Sequence, residues 1–125
     1  MPVLAVVPDL YFATRIAATA KAAGVELELA PRERAVARLA ATEASLVLLD
    51  LYTADSLALV GEMKRVVPHV QVVGFYSHVD REIREQALAA GADAALPRSQ
   101  LVARLPALLA HGLEALKPRS GEIRL

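Results

Sequence analysis

The chain has 125 residues, enough for one domain with a single good core. Hydrophobic residues make up 55% of it, but 25 residues are alanine and only 4% are aromatic, which favours close helix packing over large pockets. Fourteen basic residues balance 14 acidic ones and no cysteine is present; this argues against a broad nucleic-acid footprint and excludes disulfides, thiolate metal sites and thiol nucleophiles.

Val3–Val7 reads as a first buried strand, closed by Pro8-Asp9. Ala13, Ile16, Ala17 and Ala20 follow at helical spacing, with Asp9 as the N-cap and Gly24 as the stop. Val25–Leu29 alternates apolar and charged residues, the mark of a strand with one exposed face at a sheet edge. Pro31 then starts a helix through Arg32–Ala41, with Val36, Leu39 and Ala40 facing inward.

Ser45–Asp50 carries four consecutive large apolar residues, Leu46 to Leu49, without alternation. A strand apolar on both sides is buried on both sides, as at the centre of a parallel sheet covered by helices. After the loop Leu51–Asp55, a helix from about Ser56 places Leu57, Val60, Met63 and Val67 on one face and ends at Pro68. Val70–Phe75 is a fourth strand, and Asp80 caps a helix over Arg81–Ala90 that Gly91 terminates. Ala92–Leu96 is a short fifth strand. Pro97-Arg98-Ser99 leads into a last helix bearing Leu101, Leu105, Leu108, Leu109, Leu113 and Leu116, with Pro106 near its start or marking a kink. Residues 1–116 form the domain, and 117–125 read as a polar C-terminal tail.

Five strands alternating with five helices predict an α/β fold with a parallel sheet and right-handed crossovers. The expected architecture is a three-layer α/β/α doubly wound sandwich of the flavodoxin-like type, with strand order 2-1-3-4-5. In such a sheet the carboxyl ends of the strands are where ligands bind. Asp9, Asp50, Tyr76 with Ser77, and Arg98 converge on that edge. Asp50 alone reads equally well as a residue that caps the following loop through its side chain.

These residues resemble the receiver domain of bacterial response regulators, from Val3 to about Leu116. Pro8-Asp9 stands where receivers have an acidic pair, Leu-Leu-Asp50 matches the phospho-accepting aspartate, and Tyr76-Ser77 falls at the hydroxyl switch and the small residue after it. Leu-Pro-Arg98-Ser stands where the family has its lysine. The resemblance implies that Asp50 could accept a phosphoryl group as an acyl phosphate, with Mg²⁺ held by Asp9 and Asp50 offsetting charge on the moving oxygens. It also implies roles for Tyr76, Ser77 and Arg98 in sensing the phosphate.

The departures from the pattern are as informative. Proline replaces one acid, which leaves Asp9 and Asp50 as metal ligands unless Asp55 folds over. Arginine replaces lysine, and its planar fork is not interchangeable with an ammonium. Tyrosine replaces the small hydroxyl residue, and the Met-Pro turn after the accepting aspartate is missing. Together these predict a pseudo-receiver that keeps the fold and binding surfaces while phosphoryl chemistry is weak or absent. No cofactor is then expected, and Mg²⁺ only at low affinity. Arg98 could equally pair with Asp50 directly.

Other constellations carry less. Ser77-His78 are adjacent at a strand exit and point apart, a poor nucleophile–base pair. His69 and His111 are isolated, and Tyr52 and Tyr76 either stack on a partner or pack locally. Pro8-Asp9-Leu10-Tyr11 offers no glycine-rich phosphate cradle. No basic stripe with interleaved aromatics and no apolar run of ~20 residues is present, so nucleic acid and membrane are not expected partners. With no export signal, the cytoplasm is the expected compartment. The chain is read as a stand-alone, non-enzymatic module that binds another signalling protein, a kinase or an output protein. Any leucines of the last helix left exposed would supply a homodimer face. The alternatives are a functional response regulator phosphorylated on Asp50 by a histidine kinase, and a flavodoxin-like enzyme or cofactor binder using the same edge.

Overall fold

The computed structural model describes residues 2–77 and 80–117. Five parallel strands form one sheet in the order β2-β1-β3-β4-β5. They are β1 (Val3–Val6), β2 (Leu27–Leu29), β3 (Leu46–Asp50), β4 (Gln71–Tyr76) and β5 (Ala94–Pro97). The helices are α1 (Leu10–Ala22), α2 (Ala35–Thr42), α3 (Ser56–Val66), α4 (Arg81–Ala90) and α5 (Arg98–His111). This is the predicted flavodoxin-like sandwich.

The unbroken apolar run of β3 places it at the centre, where all five of its residues are buried. Strand side chains alternate between faces, and the two cores divide accordingly. Leu46 and Leu48 pack with Phe12, Ile16, Leu101 and Leu108 under α1 and α5. Val47 and Leu49 pack with Leu39, Leu59, Val60 and Met63 under α2, α3 and α4. β2 lies at the sheet edge as expected, but only Leu27–Leu29 joins the ladder, with Leu29 46% exposed.

Several helix ends follow from local chemistry. Asp9 caps α1 by accepting from the Tyr11 and Phe12 amides, and Asp80 caps α4 by accepting from the Ile83 amide. α4 stops at Gly91, whose φ of 115° is cheap only for glycine.

Two expectations are corrected. The second helix opens with a 3-10 turn over Arg32–Arg34, which rotates α2 so that Ala35 and Leu39 are buried while Ala40 is exposed. Pro106 lies in the interior of α5 because that helix already begins at Arg98; it sits on the exposed side, where the missing donor is least costly. Leu101, Leu105, Leu108 and Leu109 are buried in the core, and Leu113 and Leu116, in a 3-10 segment over Gly112–Leu116, are partly buried against it. Among the described residues, the leucines of this end are thus buried or partly buried rather than exposed. Of the tail, Lys117 is exposed and residues 118–125 lie outside the described residues.

Candidate functional site

Three of the five predicted site residues meet at the carboxyl edge of the sheet. Val7-Pro8 carries the chain from β1 to Asp9 at the head of α1. Asp50 is the last residue of β3, and Arg98 is the first of α5, directly after β5. Arg98 Nη1 lies 3.4 Å from Asp9 Oδ2, and Arg98 Nη2 lies 3.9 Å from Asp50 Oδ2. One guanidinium thus bridges both carboxylates.

The opposite oxygens are also engaged. Asp9 Oδ1 accepts from the Tyr11 amide at 3.0 Å and the Phe12 amide at 3.2 Å. Asp50 Oδ1 accepts from the Tyr52 amide at 2.9 Å, so Asp50 does cap its own loop as well as face the edge. The Phe12 amide, helped by Arg98 and the Tyr11 amide and opposed by partial burial, holds the Asp9 carboxyl below its usual range. The Asp50 residue is only 7% exposed, so a carboxylate there depends on its partners.

Arg98 is itself held by aromatic rings. Its Cζ stands 4.4 Å from the centroid of Phe12 and 5.7 Å from that of Phe75, and the two rings meet edge-on at 5.2 Å. The ring quadrupoles attract the cation while the acids pair with its fork. Arg98 Nε is buried without a partner among the described residues. An open groove of about 830 Å³ runs beside Arg98, bounded by Tyr11, Phe12, Arg15 and Ser77 among others.

Tyr76 does not reach this site. It ends β4, but its side chain is 5% exposed and lies in the core under α2, α3 and α4. The reason is strand parity: Phe75 points toward Arg98, so its neighbour points the other way. Ser77 is half-buried on the groove wall, and His78 lies outside the described residues. Asp55 does not fold over; it is exposed in a left-handed conformation at φ 54°. Among the described residues no group of three or more histidine, aspartate or glutamate side chains is placed to hold a metal ion. The isolated His69 and His111 are both exposed.

Sequence reasoning missed two features. One is the Phe12–Phe75 pair that seats Arg98; the position of Phe12 three residues after the cap Asp9 was the available signal. The other is Tyr52, whose phenol donates to Asp80 Oδ2 at 2.9 Å and, more weakly, to the Ser77 carbonyl at 3.4 Å. Loss of water around that hydroxyl, reinforced by the Asp80 carboxylate, pushes the phenol above its usual range. The residue as a whole stays 53% exposed.

The sheet order and the helices on both faces define a doubly wound, flavodoxin-like α/β domain. Solved structures similar to this chain are response-regulator receiver domains, and the chain has their CheY-like fold. The receiver domain of NtrX from Brucella abortus is 25% identical, with 90% of this chain and 98% of that one covered and a TM-score of 0.78. HP1043, an orphan response regulator of H. pylori, is 18% identical over 94% of this chain and 97% of its own, with a TM-score of 0.77. A CheY-like receiver domain protein from Methanospirillum hungatei is 19% identical over 90% and 96% of the two chains, at a TM-score of 0.75. Against the longer NtrX chain in complex with ADP, this chain spans 26% of that chain's length. No protein-family model and no curated protein matches the sequence. The similar structures are described as signal receiver domains and response regulators. Among the described residues no helix is long and apolar enough to cross a membrane.

Proposed function

We propose that this chain is a divergent receiver-like signalling module that acts in the cytoplasm by binding another signalling protein, with phosphorylation of Asp50 weak or absent. The observation that carries the reading is the Arg98 bridge between Asp9 and Asp50. The Mg²⁺ ion that the receiver resemblance implies does not fit these residues. Each of the four carboxylate oxygens already faces an amide or the guanidinium, and proline occupies the place of the third acid. Mg²⁺ keeps most of its water shell and is usually held by one or two carboxylates, and here both would first have to give up the guanidinium. A divalent ion ~5 Å from a unit positive charge is repelled by roughly 6–7 kcal/mol at an effective dielectric of ~20 before further screening, which weakens binding by several orders of magnitude.

The decisive experiment is intact mass after incubation with acetyl phosphate and Mg²⁺, with Asp50→Asn as control. The expected result is no stable phosphoryl increment. A clear increment in the parent that is lost in Asp50→Asn would overturn this reading. It would favour the second one, a response regulator that takes a phosphoryl group from a histidine kinase. The support for that alternative is the position of Asp50 at the end of the central strand.

A further inference from the structure

Tyr52 joins the carboxylate edge to α4. Its amide donates to Asp50 Oδ1 and its phenol to Asp80 Oδ2, each at 2.9 Å. The other oxygen of Asp50 faces Arg98. The other oxygen of Asp80 accepts from the Ile83 amide at 3.1 Å and so caps α4. Each aspartate divides its two oxygens between Tyr52 and a second group. Tyr52, 53% exposed, can leave this seat without opening the core. Tyr76, on the neighbouring strand, cannot move in that way because the core encloses it.

We infer that Tyr52 and Asp80 form a relay that couples the state of the Asp50 carboxylate to the first turn of α4. A group that draws Asp50 Oδ1 away from the Tyr52 amide loosens the turn that carries Tyr52. The phenol then leaves Asp80, and the Asp80 cap on α4, held by one donor fewer, weakens. The loop between β3 and α3 thus carries a signal to α4 without any movement of Tyr76. The relay goes beyond the function proposed above and requires no phosphorylation of Asp50, so it stands or falls apart from the mass experiment.

The test is amide hydrogen exchange by NMR on the full chain, comparing the parent, Tyr52→Phe, Asp50→Ala and the double variant. Tyr11→Phe, which alters another exposed tyrosine, is the control. The Ile83 and Arg84 amides should exchange about three- to tenfold faster in each single variant, the range expected for one lost hydrogen bond. The double variant should exchange no faster than the faster single, and the α2 amides and Tyr11→Phe should match the parent. If Asp50→Ala does not fold, Asp50→Asn, a weaker acceptor of the same shape, should move the same amides in the same direction. Unchanged Ile83 exchange in Tyr52→Phe would overturn the relay. So would additive acceleration in the double variant, or equal acceleration throughout α2.

Discussion

Arg98 Nη2 stands 3.9 Å from Asp50 Oδ2 while the same guanidinium lies over the Phe12 ring at 4.4 Å. The cation is thus positioned by apolar packing before it meets the acid, so little side-chain freedom remains to be lost when the pair forms. Asp50, 7% exposed, has few other ways to keep its charge solvated. Removing the arginine should therefore cost more than an ordinary surface ion pair.

Arg98→Ala is expected to destabilise the fold by about 1–3 kcal/mol, because it leaves a mostly buried carboxylate short of a partner. Arg98→Lys should recover part of that loss but not all, since an ammonium cannot span both aspartates as a fork. Urea midpoints at neutral pH check both, and equal midpoints for parent and Arg98→Ala would refute the expectation.

Phe12→Leu keeps apolar bulk but deletes the edge-on contact with Phe75 and the seat of the guanidinium. The expected cost is about 1–2 kcal/mol from the aromatic and cation–π contributions together. In a double-mutant cycle, Phe12→Leu and Arg98→Ala should be non-additive, because they remove one shared contact.

Acid should weaken the α1 cap. The Asp9 carboxyl is held below the ordinary carboxylate range, first by the Phe12 amide. A lowered folded-state value means that the ionised cap stabilises the protein above the unfolded value, and that this contribution is lost as pH falls through the folded one. The stability difference between the parent and Asp9→Asn should therefore be constant near neutrality and shrink below about pH 4. Denaturant titrations across that range measure it, and a difference that grows on acidification would contradict the sign.

Gly74→Ala should be strongly destabilising although Gly74 lies within a regular strand. An added Cβ would sit 2.6 Å from Leu51 Cδ2 and under 3 Å from two further Leu51 carbons. Leu51 is 2% exposed and has little room to yield, so the cost is expected at about 1–3 kcal/mol. Pairing the change with Leu51→Ala should relieve the clash, and thermal melts of the single and double variants test this.

The sheet, its order and the meeting of Asp9, Asp50 and Arg98 at one edge were legible from local patterns. The unbroken Leu46–Leu49 run, the alternation in Val25–Leu29 and the caps Asp9 and Asp80 express short-range physics: strand parity, burial and free helix-end amides. What tertiary structure decided involves residues far apart in the chain. Asp9 and Arg98 are separated by 89 positions and Tyr52 and Asp80 by 28, and no local pattern fixes which oxygen faces which donor. The seat of Arg98 on Phe12 and Phe75 exists only because β4 and α1 present their rings to the same core. Tyr76 lies between these cases. It was expected at the edge and lies in the core, because a one-residue difference in strand parity decides whether a side chain joins the site or the core.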